Sequence, residues 1–205
     1  MFTQLNESRW GTTDIEPEQV IAYEAAYIRK FSADSYLQTN LFYLQNKNQI
    51  INIDPTFKNE GDTDIYGLEV EYKGSLSSSD RFYINYSYVD GEDQNGSELT
   101  NVAQHMVKTY YIYDVSESFS LSGVARYVGE KQRADTDTRD KLDGYTKVDL
   151  AVRYYDQKHD YTLTGSVNNV FNEDIRYPSP VPPGSYIEDY RQEDRNFLIT
   201  LKKEF

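Results

Sequence analysis

The sequence predicts an all-β protein, an antiparallel transmembrane β-barrel of about nine strands that follow one another as a meander. Apolar and polar residues alternate with the two-residue period of a strand in nine segments. The closing segment is about as long as a tilted strand that crosses a bilayer, 9–11 residues. Short and long polar connections also alternate along the chain, as in outer-membrane barrels with short periplasmic turns and long outside loops.

The closing segment, Arg195–Phe205, shows how one strand is predicted. Phe197, Ile199, Leu201 and Phe205 share one of its faces, and the chain ends on an aromatic residue. This pattern resembles the closing strand of bacterial outer-membrane barrels. The resemblance implies that these four side chains form part of the signal read by the barrel-assembly machinery.

The other eight predicted strands each carry a row of alternate apolar side chains that we expect to face lipid. In chain order, the rows are Ile21, Tyr23, Ala25 and Tyr27; Leu37, Thr39, Leu41 and Tyr43; Tyr66, Leu68, Val70 and Tyr72; Phe82, Ile84, Tyr86 and Tyr88; Val107, Thr109, Tyr111, Tyr113 and Val115; Phe119, Leu121, Gly123, Ala125 and Tyr127; Val148, Leu150, Val152 and Tyr154; and Tyr161, Leu163, Gly165 and Val167.

Connections between the predicted strands sort by length. Short turns are predicted at 32–34, 77–80, 116–118 and 157–160, and long loops at 46–63, 90–101, 130–143 and 172–194. Counting back from a periplasmic Phe205 places every long loop outside. Residues 1–18 are predicted to form a surface loop, and Ile50–Ile53 is expected to extend a strand beyond the membrane.

Composition excludes several classes of protein. A net charge of −13 argues against a nucleic-acid partner. The absence of cysteine excludes disulfides and thiolate sites. Mean hydropathy is −0.76, and no stretch approaches the ~20 apolar residues of a membrane helix. The 20 tyrosines suit the aromatic girdles of a barrel, although composition alone also fits a soluble β-sandwich.

An odd number of strands leads to the expectation that this chain is part of a larger barrel, unless residues 1–18 hide a further strand. Bacterial single-chain barrels use even numbers of strands, and open sheet edges are not tolerated in lipid. Met1 is followed by neither a charged nor an apolar leader segment, which points to the same expectation.

Five segments resemble the C-terminal half of TonB-dependent outer-membrane receptors: Ile15–Glu24, Gly61–Glu69, Tyr86–Asp90, Asn168–Asn172 and Arg195–Phe205. The resemblance implies a barrel of 22 strands around an N-terminal plug. Residues 19–205 would then be its last nine strands, with the plug domain, the TonB-contacting box and the earlier strands absent.

The function implied by this resemblance is uptake of a scarce nutrient, most often a ferric siderophore, by a multi-pass protein of the Gram-negative outer membrane. Haem, cobalamin or a glycan remain open as ligands. The implied partners are outer-membrane lipid, lipopolysaccharide, the missing plug and, through that plug, TonB. The alternative is a stand-alone small barrel with an adhesin or structural role.

Candidate ligand contacts are arginines and tyrosines of the long loops, because guanidinium charge and aromatic stacking suit an anionic chelate. They are Arg133, Arg139, Tyr177, Tyr186, Tyr190 and Arg191. Loop packing and anchoring in an aromatic girdle is the competing role for these side chains. The charged residues between the apolar rows are expected to pair across strands. They are Glu24, Glu69, Glu71, Lys73, Arg126, Lys147, Asp149 and Arg153.

No catalytic, metal or cofactor site is expected. His105 and His159 are the only histidines, and no carboxylate spacing makes a metal triad with either. The acidic loop Asp90–Gly96 has its glycine one position later than a calcium loop requires. A Gly-x-Ser-x-Gly nucleophile motif is also missing, which disfavours an outer-membrane hydrolase.

Overall fold

The structure, a computed structural model, describes residues 15–53, 56–134, 137–179 and 188–204. The strands in this part of the chain are β1 (Gln19–Lys30), β2 (Tyr36–Lys47), β3 (Ile50–Ile53), β4 (Thr56–Asn59), β5 (Thr63–Gly74), β6 (Asp80–Asp93), β7 (His105–Asp114), β8 (Phe119–Val128), β9 (Tyr145–Asp156), β10 (Tyr161–Asn168), β11 (Arg176–Tyr177), β12 (Tyr190–Arg191) and β13 (Asn196–Lys203). None of the described residues forms a helix long and apolar enough to cross a membrane.

Nine of these strands form one antiparallel sheet in the order β1-β2-β5-β6-β7-β8-β9-β10-β13. Every neighbour in the sheet is the next long strand along the chain, so the predicted meander is confirmed. The hairpin β3–β4 and the short ribbon β11–β12 are separate two-stranded sheets within two of the long connections.

The connections sort by length as predicted. Segments 31–35, 75–79, 115–118 and 157–160 join strands at one end of the sheet, which we name the turn end. Segments 48–62, 94–104, 129–144 and 169–195 join them at the other, which we name the loop end. Because neighbouring strands run antiparallel, all four long connections lie at the loop end.

Strand register joins the predicted apolar rows into one continuous surface, which we name the apolar face. Tyr43 lies opposite both Tyr23 and Tyr66. Leu121 lies opposite both Tyr113 and Val152. A one-residue slip at any strand would send its row to the other side of the sheet, so the agreement across nine strands supports the predicted periodicity.

The apolar face is uncovered, which separates this sheet from a soluble sandwich. Phe197, Ile199 and Leu201 on β13 are 72%, 78% and 68% exposed. Within the described residues, the buried apolar side chains are those of Ala103, Leu142 and Ile175, none of which lies on a strand of the main sheet. A sandwich would bury such rows between two layers, whereas a lipid-facing sheet leaves them exposed in the absence of lipid.

On the opposite side of the sheet, which we name the polar face, none of the eight charges predicted to pair across strands forms such an ion pair with a described residue. Glu69 lies opposite Asn40 and Ser87. Glu71 instead accepts hydrogen bonds from the hydroxyls of Tyr36 and Tyr83, the second at 3.0 Å. The prediction was wrong because it used residue type without register, and register places neutral polar or aromatic side chains opposite most of these charges.

The sheet has two open edges. β1 pairs only with β2, and β13 pairs only with β10, among the residues that the structure describes. In hydrocarbon each unpaired backbone N–H or C=O costs several kcal/mol, on the order of a lost hydrogen bond. Both edges therefore require a further strand when the sheet lies in a membrane.

Two loop expectations need correction. Ile50–Ile53 does not extend β2; it forms the hairpin β3–β4, because Asn48 takes a left-handed conformation (φ 56°) and ends β2. β6 continues to Asp93, past the predicted start of the loop at Asp90, because it stays paired with β5.

The first predicted segment, residues 1–18, is described only from Ile15. Ile15–Glu18 is irregular, and the backbone N–H of Glu16 donates to Oδ1 of Asn59 in β4 at 2.7 Å. This contact places Glu16 at the loop end. Residues 1–14 lie outside the described part, so the surface loop stays a prediction for them.

Substitution of Leu150 by arginine tests the assignment of the apolar face. Leu150 is 49% exposed near the middle of β9, where an arginine in hydrocarbon costs about 2–4 kcal/mol of folding free energy. Ala151→Arg on the polar face is the matched control, since its neighbours are Ser122 and Ser166. Urea unfolding from lipid vesicles should show a loss for Leu150→Arg that is larger by at least about 1 kcal/mol. Equal losses would refute the assignment.

Candidate functional site

The candidate site is a cleft at the loop end, between the 129–144 loop and the 169–195 loop. Its volume is about 540 Å³. Side chains of both loops line it, together with the first residue of β9; among them are Arg133, Arg139, Tyr145, Asp174, Arg176 and Asp189. The long connections that were predicted to contact a ligand therefore meet around one space.

Two asparagines form the base of the 169–195 loop. Asn169 is 1% exposed, and its backbone N–H donates to Asp149 Oδ1 on β9 at 2.8 Å. Its side chain exchanges two hydrogen bonds with the backbone of Glu173, each 2.9 Å. Asn172 Oδ1 accepts the backbone N–H of Arg195, which lies at the far end of the loop, at 2.9 Å. Both asparagines have positive φ, 53° and 56°, a conformation that asparagine tolerates better than most residues.

Arg133 ties the two loops together. Its guanidinium donates to both carboxylate oxygens of Asp189 at 2.7 Å, and its Nε donates to the carbonyl of Asp140 at 2.7 Å. The side chains of Arg133 and Asp189 are only 8% and 11% exposed. A two-pronged Arg–carboxylate pair fixes both distance and orientation, so it holds the loops in one relative position.

Arg139 extends the same cluster. It donates to Asp137 from Nε at 2.9 Å and contacts Asp189 from a terminal nitrogen at 3.3 Å. Asp189 also accepts the backbone N–H of Ser179 at 3.2 Å. We name Arg133, Asp137, Arg139 and Asp189 the loop cluster. Its charges are paired and hydrogen-bonded, as buried charges must be.

The loop cluster shifts the acidity of its own carboxyls. Hydrogen bonds from Arg139 lower the pKa of Asp137 to about 2. Hydrogen bonding to Arg133 lowers the pKa of Asp189, and the same bond raises the pKa of Arg133. Both carboxyls are therefore ionised at neutral pH, when the pairs are at full strength.

The short ribbon β11–β12 carries the remaining described candidates. Tyr177 pairs with Tyr190 across the ribbon, and their side chains are 41% and 49% exposed. The ammonium of Lys131 lies 5.1 Å from the centre of the Tyr177 ring. Arg191 forms ion pairs with Asp174 at 3.2 Å and Asp194 at 2.8 Å. The ribbon therefore presents two accessible rings beside cationic groups.

The geometry divides the predicted site residues into two groups. Arg133 and Arg139 use their donors inside the protein, which gives them a role in positioning the loops. Tyr177, Tyr190 and Arg191 remain accessible on the ribbon, and ligand contact stays a prediction for all five. Tyr186 and Phe205 lie outside the described residues, so Tyr186 and the full assembly signal also stay predictions.

Sequence reasoning missed three residues of the site: Asp189, Asn169 and Lys131. Asp189 is one of many loop acids, and nothing in the sequence distinguishes it. Lys131 is likewise ordinary in a charged loop. Only Asn169 carried a signal, because Asn168–Asn172 contains three asparagines at the end of a strand, where left-handed residues are common.

The two histidines each make a local contact. Nδ1 of His105 lies 2.9 Å from the hydroxyl of Tyr86, and Nδ1 of His159 lies 2.9 Å from a carboxylate oxygen of Asp156. Across the described ranges, no three His, Asp or Glu side chains are grouped so as to hold a metal ion.

Sequence comparisons identify related proteins. A model of the family described as TonB dependent receptor-like, beta-barrel matches residues 2–170. The metal-pseudopaline receptor CntO of Pseudomonas aeruginosa is 31% identical over 188 residues, which cover 82% of this chain and 26% of that protein. The probable TonB-dependent siderophore receptor PiuA of Acinetobacter baumannii is 25% identical over 183 residues, which cover 80% and 24%. The chain thus spans about a quarter of the length of these relatives.

Solved structures share the fold. The ferric-catecholate import receptor Fiu of Escherichia coli K12 aligns with a TM-score of 0.76 at 20% identity, covering 93% of this chain and 28% of that one. The ferric yersiniabactin uptake receptor FyuA of Yersinia pestis aligns with a TM-score of 0.77 at 20% identity, covering 90% and 29%. At this identity the likeness shows the fold alone.

Removing the charge of Asp189 should loosen the two loops. Asp189→Asn removes the two-pronged carboxylate partner of the buried Arg133, and a charged hydrogen-bond partner is worth about 1.5–3 kcal/mol. Amide hydrogen exchange at residues 131–134 and 176–179 should speed up by at least about tenfold. Asp174→Asn is the matched control, because its pairs with Arg176 and Arg191 are exposed and worth less than about 1 kcal/mol. Equal exchange in the two variants would contradict the role of the loop cluster.

Acid should release the loop cluster only at low pH. A carboxyl whose pKa is lowered in the folded state stabilises that state above its unfolded pKa, about 3.9 for Asp. That stabilisation is lost as pH falls through the folded pKa, about 2 for Asp137. Exchange at 131–134, corrected for its intrinsic pH dependence, should therefore stay constant from pH 7 to about 5 and rise below about 4. A rise near pH 6 would instead indicate histidine.

Proposed function

Because this chain belongs to the family of TonB-dependent receptor-like β-barrels, we propose that it forms part of the wall and outer loops of an outer-membrane receptor that takes up a metal-loaded siderophore. The single observation that carries this proposal is the asymmetry of the sheet. One face is apolar and exposed, while all four long connections gather at one end, where two of them enclose a cleft.

Transport as a whole is proposed for the protein that includes the remaining strands and the plug. The open edges of β1 and β13 support this, since each needs a neighbour in hydrocarbon. They also weigh against a stand-alone small barrel acting as an adhesin. The related proteins are receptors and not enzymes, so we propose binding and passage of the ligand without chemistry on it.

The ligand is proposed to be an anionic chelate with aromatic or planar groups. Tyr177 and Tyr190 offer ring faces at the loop end, and Lys131 and Arg191 add positive charge beside them. Ring faces bind planar groups by stacking, and guanidinium groups bind anionic oxygens. The names of the relatives, which refer to metal-pseudopaline and siderophores, support the same class.

The proposed partners follow from the surfaces of the sheet. Lipid and lipopolysaccharide would contact the apolar face, where tyrosine is frequent. The barrel-assembly machinery would read the closing strand through Phe197, Ile199, Leu201 and Phe205. The plug would fill the space against the polar face, and TonB would act through that plug.

Uptake of radioactive iron tests the proposed function. Cells that express the full gene product should accumulate ⁵⁵Fe from at least one of three probes, a ferric catecholate, a ferric hydroxamate and a ferric carboxylate. Accumulation should cease when either this gene or TonB is deleted. Unchanged accumulation from all three probes after deletion of this gene, with the protein present in the parent membrane, would refute the proposal.

The ribbon tyrosines give a finer test in the same assay. Tyr177→Ala with Tyr190→Ala should weaken binding of the transported probe by about tenfold, since each lost ring contact is worth roughly 0.5–1 kcal/mol or more. Tyr27→Ala with Tyr23→Ala on the apolar face is the control and should leave binding unchanged.

A further inference from the structure

Three cations stand side by side on the polar face. Lys108 on β7 lies directly opposite Arg126 on β8, and Arg126 lies directly opposite Lys147 on β9. Directly opposed residues have Cβ atoms about 4.5–5.5 Å apart, and like charges in that arrangement destabilise a sheet. We name these three residues the basic row.

Little within the described chain offsets these charges. Lys147 lies 3.4 Å from Asp149 on its own strand, and that carboxylate also accepts the backbone N–H of Asn169. Neither Lys108 nor Arg126 forms an ion pair with any other described residue. The chain carries 34 acidic and 21 basic residues. In so acidic a chain, a row of three adjacent cations with a single acidic partner, Asp149, stands out.

The loop arginines show the contrast. Arg133 and Arg139 share Asp137 and Asp189 and are largely buried. Lys108 and Arg126 are exposed on the polar face instead. Their donors are therefore available to a group that approaches that face.

The basic row lies close below the candidate cleft. Lys108 is three residues from the loop-end start of β7, Arg126 is two residues from the loop-end finish of β8, and Lys147 is two residues from the start of β9. At about 3.3 Å per residue this is within about 10 Å of the loop end. Tyr145 lies in the interval, because it is the first residue of β9, two residues from Lys147, and lines the cleft.

We propose that the basic row is an anion-binding site on the wall, where a chelate with two or more negative charges rests after it leaves the outer loops. This rests on the proposed function. Carboxylate or catecholate oxygens fit the row, since Arg126 offers a planar fork between two ammonium groups. The position near the loop end, two residues from Tyr145 of the cleft lining, favours a ligand arriving from outside over an acidic polypeptide segment.

Calorimetry with citrate and ferric citrate tests this site without knowledge of the natural ligand. The full gene product, purified in detergent, should bind both probes more weakly as salt increases. Lys108→Gln, Arg126→Gln and Lys147→Gln together should weaken binding by at least about tenfold, because the charge-assisted hydrogen bonds to the anion are lost. Lys30→Gln, Lys73→Gln and Arg153→Gln together form the control, with the same charge change on the same face, and should change binding less than about twofold. Heat-modifiable gel mobility verifies that each variant is folded.

Three outcomes would overturn the inference: no binding to the parent protein, equal weakening in the two triple variants, or undiminished binding in the basic-row variant. A different occupant, an acidic segment of polypeptide, would be indicated by two results together. The parent would not bind citrate, and the basic-row variant would lose heat resistance while the control variant kept it. The ⁵⁵Fe assay is read separately. If the cells still take up ⁵⁵Fe but the protein binds no anion, this site alone is refuted. If ⁵⁵Fe uptake does not depend on this gene, the proposed function is refuted.

Discussion

Backbone hydrogen bonding between neighbouring strands is the constraint on which the rest of this structure depends. A strand in hydrocarbon has no water to satisfy its N–H and C=O groups, so each must pair with an adjacent strand. Pairing fixes register, and register decides which side chains share a face. The continuous apolar face, from Tyr23 on β1 to Ile199 on β13, is the result. Among the described residues the outer edges of those two strands are unpaired, so the same requirement is not met there.

Charge is used differently in the loops and on the wall. In the loop cluster, buried arginines and aspartates neutralise one another and hold two long connections in place. On the polar face, the basic row leaves cations available. In the proposed receptor, the loops would provide a defined opening and the wall beneath it would attract an anion. This arrangement would suit capture followed by descent of a charged ligand.

Much of the fold followed from the sequence because a strand with one apolar face repeats every second residue, and loop length reveals which end of a barrel a connection occupies. Contacts between distant residues did not follow. Arg133 and Asp189 are 56 positions apart, and no local pattern joins them. The alignment of Lys108, Arg126 and Lys147 required the register of three strands. Gly67 is a further case: a Cβ there would lie 2.4 Å from the ring of Phe42, a fit that only the paired strands reveal.

The most direct test of the central claim is a cysteine scan along β8, Phe119–Val128, in the full protein reconstituted in lipid, with any cysteine outside this cysteine-free chain replaced by serine. Nitroxide labels at Leu121, Gly123 and Ala125 should be accessible to oxygen, which concentrates in hydrocarbon. Labels at Ser120, Ser122 and Val124 should be accessible instead to a water-soluble nickel complex. A two-residue period in this phase supports a sheet with one face in lipid and one in water. The opposite phase, or uniform access to the nickel complex, would contradict it.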